Sequence, residues 1–224
     1  MESLGGHEAI HKALVERITG QLRPVRPLWP IRVRLAIWLL VDALVLACLW
    51  SWRMRPDLAT HLRSPQFLLE LGLFVAGGQI LAFLALSAAV PGREASRFRV
   101  GIGGAVIAAG ILLLAREPSA TYASGAEFVS AGIRCMCASL LFATLPWLTL
   151  FWAVRRGAVF ARLKAGALVA GAALFFAFAI VRGGCPLDDR LHLLVWHLIV
   201  PGAILIAVSS IVAARWMRPP VPQI

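Results

Sequence analysis

The stretch RGGCPLDDRLHLLVWH, residues 182–197, gathers Cys185, Asp188, Asp189, His192 and His197 in a chain that is 60% hydrophobic. Thiolate and imidazole ligate soft and borderline dications such as zinc and cadmium, and a thiol is also half of a disulfide. Three further cysteines occur, Cys48, Cys135 and Cys137. Cys135-Met136-Cys137 is a CxC, and no CxxC is present, so the pattern is not that of a zinc ribbon. Cys185 lies in a loop between apolar runs, where a cysteine has no packing task, and its candidate partner is Cys135. The couple either binds an ion or forms a disulfide, which requires Cα atoms within about 7 Å. Cys48 and Cys137 read as packing residues. Asp188 and His192 are four apart and share a face if the helix begins early. His192 and His197 are five apart and do not align as an i,i+4 ligand pair does. The candidate metal set is therefore Cys135, Cys185, His192 and Asp188. The competing reading is a hydrated loop with an N-cap aspartate and an interfacial histidine.

These residues must be positioned by membrane helices. Mean hydropathy is +0.81 and only 15% of residues are charged, whereas soluble domains carry about 25%. A crossing needs about 20 mostly apolar residues. Six stretches meet or approach that length, at 33–52, 66–90, 99–115, 132–154, 165–182 and 191–214. No stretch alternates like a barrel strand. The predicted fold class is all-α and polytopic, with six transmembrane helices. Its parts are a cytoplasmic amphipathic segment at 1–32, a membrane domain at 33–218 and a tail at 219–224. No cleavable signal peptide is expected, because the first apolar run follows about thirty mixed residues.

Lysine and arginine set the orientation. The side holding residues 1–34 and the second and fourth loops carries 15 of the 22, and the other side carries 7. Both termini are predicted to be cytoplasmic. Trp50 and Trp52 then mark the outer boundary, and Trp29, Trp152 and Trp216 the inner one. All four cysteines fall toward the outer side, away from the reducing cytosol. The net charge of +11 is explained by this topology signal rather than by nucleic-acid binding.

Other features are plainer. Gly166 with Ala170 and Ala167 with Gly171 are small-xxx-small pairs that let helices approach, within one bundle or in a homodimer. Asp42 and Glu70 are ionisable at membrane depth, Glu70 within reach of the outer interface. Together they open an alternative, a small secondary transporter. A membrane thiol oxidoreductase using Cys135 and Cys185 is a third reading. Near the amino terminus Ile10, Leu14, Ile18 and Leu22 recur every four residues, an apolar stripe that must be buried on lipid, on the protein's own loops or on a partner. Its mixed charges favour a protein partner. The chain has no phosphate-binding loop and no serine–histidine–aspartate set, and it is not expected to be an enzyme.

Five segments taken in order carry a resemblance. They are LVERITGQLRPVRPL, MRPDLATHLRSPQFLLEL, GIRCMCASLLFATLPWLTLFWAVRRG, AGALVAG and CPLDDRLHLLVWHLIVPG. Their order and spacing, from Leu14 to Arg218, resemble the six-helix membrane anti-sigma factors of the NrsF type. The resemblance implies a bacterial inner-membrane protein that holds an extracytoplasmic-function sigma factor inactive until heavy-metal or oxidative stress. It implies two characteristic cysteines, matched by Cys135 and Cys185, and a cytoplasmic LRPVR segment, matched here by Leu22 to Arg26. Leu14, Ile18, Leu22, Arg23 and Arg26 are the expected sigma-factor contacts. One departure is Gly184, where the family pattern often has a histidine.

Magnitudes favour the cysteines as the sensor. Switching a population from 1:99 to 99:1 takes about 5.5 kcal/mol. Structural zinc sites reach roughly 10–16 kcal/mol in small peptides, and a hydrated acid–histidine pair about 0–1 kcal/mol. No cofactor is required, and a zinc- or cadmium-type ion enters as the signal. Lipid and the sigma factor are the expected partners.

Overall fold

The computed structural model describes residues 12–17, 19–20, 28–52, 55–93, 96–117 and 124–217. Among these, regular structure is entirely helical. The helices are α1 (Ile31–Trp52), a short α2 (Leu58–His61), α3 (Pro65–Ala88), α4 (Arg97–Leu114), α5 (Gly125–Arg155), α6 (Arg162–Arg182) and α7 (Arg190–Trp216).

Local sequence explains where the helices start. Ser64 precedes Pro65, a residue suited to a first helical turn, and the Ser64 hydroxyl accepts from the Phe67 N–H at 3.5 Å. Ser96 and Ser124 cap α4 and α5 in the same way, at 3.4 and 3.2 Å. Asp189 caps α7, accepting from the His192 N–H at 2.8 Å. The helix therefore begins at Arg190, too late to place Asp188 and His192 on one helical face.

Among the described residues five helices, α3 to α7, are long and apolar enough to cross a membrane, and the chain is a multi-pass membrane protein. The sequence predicts six. The expected first crossing does form a helix of 22 residues. Arg32 and Arg34 stand at its start, and Asp42 is the ionisable residue within its apolar run, where such a group is expensive. Asp42 is fully buried with both oxygens unpartnered. Arg34 donates from Nη1 to the Ala153 carbonyl at 3.2 Å.

Helix α6 is the central element. Of its apolar window 72% is buried, against 17% for α4, and it packs on α3, α5 and α7. Small residues make this possible. A Cβ at Gly166 would lie 2.8 Å from the Ser209 carbonyl and 2.9 Å from the Ala213 Cβ. The Ser209 hydroxyl donates to the Gly166 carbonyl at 2.7 Å and accepts from Trp147 Nε1 at 2.9 Å. The small-residue pattern is thus a seam within one bundle.

The loops gather at two ends. At one, the Arg55 N–H donates to the Gly183 carbonyl at 3.1 Å, and Arg190 donates to the Ala115 carbonyl at 3.2 Å. At the other, the Ala158 N–H donates to the Ala89 carbonyl at 3.1 Å, and Arg162 donates to the Ala214 carbonyl at 2.8 Å. Helix α1 starts at this second end, where Ile31 joins Val154, Val159 and Met217 in the core. The two ends are about 30 Å apart, the length of the 21-residue α6 at 1.5 Å per residue.

Candidate thiol–imidazole site

The site forms at the end that carries the 183–189 loop. Helix α6 stops at Arg182, and its last carbonyls are taken by the loop: Gly183 N–H to Ile180, Gly184 N–H to Val181 and Cys185 N–H to Val181, at 3.2, 2.9 and 2.7 Å. This wrap turns Cys185 inward, where it is 4% exposed. Cys135 approaches from α5, ten residues into a helix that begins earlier than its apolar pattern predicts. The two sulfurs, fifty positions apart, are 3.9 Å from each other, and both thiols are free.

Two histidines close the cluster. His192 Nε2 lies 3.9 Å from Cys185 Sγ. His197 Nδ1 is hydrogen bonded to the Ser139 hydroxyl at 3.0 Å, and Ser139 sits one turn beyond Cys135 on the same face of α5. Both histidines are buried, with ring centroids 5.3 Å apart. One ligand atom from each of Cys135, Cys185, His192 and His197 lies within 4.8 Å of all the others.

Spacing along an α-helix would separate these two rings, since five residues turn through about 500°, or roughly 140° away from alignment. Residues Leu193–Ile199 instead form a π-helical turn, closed by the Val200 N–H to the Val195 carbonyl. Bonds from i to i+5 stack residues five apart. The expectation that His192 and His197 fail to align is therefore corrected by the local backbone. Across the interface, Gly132 makes room for Trp196, whose indole occupies the space a Cβ there would need. Phe128 packs on the same indole, with centroids 5.7 Å apart.

Several polar atoms in the cluster are unspent. His192 Nδ1 and His197 Nε2 are buried without hydrogen-bond partners. The Cys185 thiol is pushed down from its ordinary value, first by its contact with Cys135 and then by His192 and His197, against the opposing effect of burial. Stabilising the thiolate prepares that sulfur as a ligand or nucleophile.

Asp188, expected beside the cysteines, is instead held by arginines. Arg55 donates from Nη1 and Nη2 to its two carboxylate oxygens at 2.8 and 2.6 Å. Arg182 donates from Nη1 to Asp188 as well and from Nε to Glu70 at 3.1 Å. Arg55 also grips Asp57 through Nε and Nη2, at 2.6 and 2.8 Å. Burial alone raises the Asp188 carboxyl, but the hydrogen bonds from Arg55 and Arg182 outweigh it and hold the group well below the usual carboxylate range. Asp188 also lies 3.2 Å from His61 Nε2. With Asp57 and His61 it forms a second group of potential ligands, already saturated by guanidinium.

The sequence pattern of the family described as NrsF, negative regulator of sigma F, matches residues 18–218. The chain belongs to the NrsF family. No curated protein and no solved structure matches it. Membership makes it a negative regulator of a sigma factor, with that sigma factor as its partner.

Of the metal set expected from the sequence, Cys135, Cys185 and His192 come together and Asp188 stands aside. Cys48 and Cys137 are exposed and lie outside the cluster. Leu14 is 53% exposed. Ile18, Leu22, Arg23 and Arg26 lie outside the described residues. Glu70 does not reach toward water. It is fully buried against Arg182, which leaves Asp42 without it as a transport partner. Sequence reasoning sets His197 aside on its spacing and misses Ser139, Arg55 and Arg182. The run Leu193–Ile199 offers no signal for a π turn, and the arginines were counted only as topology signals.

Proposed function

We propose that this protein holds an extracytoplasmic-function sigma factor inactive at the cytoplasmic face of the inner membrane. Release follows when Cys135 and Cys185 meet a heavy metal or an oxidant on the opposite face. In this reading α1 is the sixth crossing, both termini are cytoplasmic, and the stripe of Leu14, Ile18 and Leu22 with Arg23 and Arg26 grips the sigma factor. Family membership supports the regulatory part. The observation that carries the sensing part is the meeting of two sulfurs from distant segments at 3.9 Å, at the bundle end away from the start of α1.

The relay is mechanical. A ligand that tightens Cys135 on α5 against Cys185 and α7 loads the Gly132–Trp196 contact. Helix α7 carries the displacement past its Gly166 contact to Trp216, at the end where the amino-terminal segment enters. The required switch of about 5.5 kcal/mol is within reach of thiolate–metal coordination.

The test is sigma-dependent transcription in cells carrying Cys135→Ser with Cys185→Ser, with and without cadmium or chromate. Induction is expected to disappear. An unchanged response removes the sensor. Separately, Ile18→Glu with Leu22→Glu in the full chain is expected to abolish co-purification of the sigma factor, and full retention removes the grip.

A further inference from the structure

We propose that Cys135, Cys185, His192 and His197 form a four-coordinate site for a zinc- or cadmium-class dication, completed by His197 through the π turn of α7. The proposal rests on the reading of the two cysteines as the sensing pair. It goes further in fixing the chemistry as coordination and in naming the ligand set.

Distances favour an ion over a bond. Tetrahedral zinc, with sulfur at about 2.3 Å and nitrogen at about 2.0–2.1 Å, sets its two sulfurs about 3.8 Å apart and sulfur from nitrogen about 3.6 Å. The sulfurs here are 3.9 Å apart, and Cys185 Sγ is 3.9 Å from His192 Nε2. A disulfide, at about 2.0 Å, needs the sulfurs to close by nearly half that separation. An ion needs only small adjustments.

His197 is prepared as a ligand. Its Nδ1 is anchored by Ser139, so Nε2 is the free nitrogen, and Nε2 is buried with no partner. Metal-binding histidines characteristically use one nitrogen on the ion and the other on an orienting group. A π turn that brings two buried rings five residues apart together, and leaves His197 Nε2 unpartnered beside the thiols, is otherwise all cost, since an orphaned buried nitrogen is destabilising.

Charge gives the same answer. Binding displaces to solvent the protons that the thiols still hold, with no change of oxidation state. Two thiolates, two neutral imidazoles and a dication sum to zero, which suits a site this buried. A carboxylate ligand would leave a net negative charge, and Asp188 is already neutralised by Arg55 and Arg182. Two sulfurs and two imidazoles do not suit magnesium or calcium, which take oxygen.

The experiment uses the full chain, reduced, in detergent. Titration with cadmium chloride is expected to give one ion per chain and a thiolate-to-cadmium ultraviolet band. X-ray absorption on the zinc-loaded, unsubstituted chain is expected to show two sulfurs at about 2.3 Å and two nitrogens at about 2.0–2.1 Å. Ser139→Ala is expected to weaken binding by about 10–100-fold, His197→Gln by more, and Cys48→Ser with Cys137→Ser not at all. A first shell with two sulfurs and fewer than two nitrogens removes His197 or His192, whatever the variants do. Failure of the reduced chain to hold one ion overturns the site. If metal-induced release survives that failure, the sensor reading stands and the coordination proposal alone falls. If the ion loads fully and sigma-factor release does not follow, the site stands and the sensor reading falls.

Discussion

Cys185 and Asp188 lie three residues apart in one loop, yet they belong to opposite kinds of site. Asp188 is saturated, held by two guanidinium groups that also bind Asp57, Glu70 and Glu117. Cys185 sits among groups with unused capacity, including two orphaned histidine nitrogens. The arginine cluster is an anchor. It ties the 183–189 loop to the segment after α1, with Arg55 bonded to both Asp188 and the Gly183 carbonyl. The thiol cluster hangs from the anchored loop and is free to respond. A satisfied polar network rigidifies, and a partly satisfied one is where a ligand gains most.

That contrast is open to attack in order of expected effect. Arg182→Leu removes a side chain that is 1% exposed, strands Glu70, which is wholly buried, and leaves Asp188 with Arg55 alone. Leaving a buried partner uncompensated costs roughly 3–5 kcal/mol, so thermal unfolding in detergent is expected to show the largest loss here. A neutral result would mean the cluster anchors nothing. Gly132→Ala comes next. It places a methyl where the Trp196 indole lies, an overpacking worth about 1–3 kcal/mol. It is expected to displace His197 and blunt the metal response while leaving the arginine cluster intact.

Acid separates the two regions further. The Asp188 carboxyl is depressed in the folded protein, so its contribution is present above the unfolded value, near pH 4, and is lost as pH falls through the folded value below that. Melting temperature of the unsubstituted chain is expected to drop on that acid side. The difference between it and Asp188→Asn is expected to shrink over the same range. A constant difference from pH 6 down to strong acid would contradict the assignment. The smallest effect is expected from Cys135→Ser with Cys185→Ser. Without an ion the thiols bridge nothing, so stability is expected to change by less than about 1 kcal/mol, even as the stress response disappears. A loss comparable to Arg182→Leu would erase the distinction between anchor and sensor.

Much of the architecture is written in local chemistry. The apolar runs locate the helices to within a few residues, apart from α5, and Ser64, Ser96 and Ser124 sit where helices begin. Helix α1 shows the limit. Hydropathy averages over Asp42, a carboxyl that must still be accommodated in the middle of an apolar run. The site was legible in part. Cys185 stands out because its loop gives a cysteine no packing task, and Cys135 enters with it through the family resemblance. His197 does not stand out, because reasoning by helical wheel assumes 3.6 residues per turn. Asp188 was assigned to its sequence neighbours, while its partner Arg55 lies 133 positions away. No spacing rule reaches that far.

The π turn in α7 has an effect beyond the two rings it aligns. Relative to an unbroken α-helix it holds one surplus residue, so everything after Ile199 is rotated by about 100° from the phase set before it. Gly202, Ser209 and Ala213 face α6 only because of that offset. A one-residue deletion between 193 and 199 would unstack the histidines and, in the same stroke, turn the small-residue seam away from Gly166. The geometry of the cluster and the packing at the far end of the bundle are thus set by a single backbone insertion.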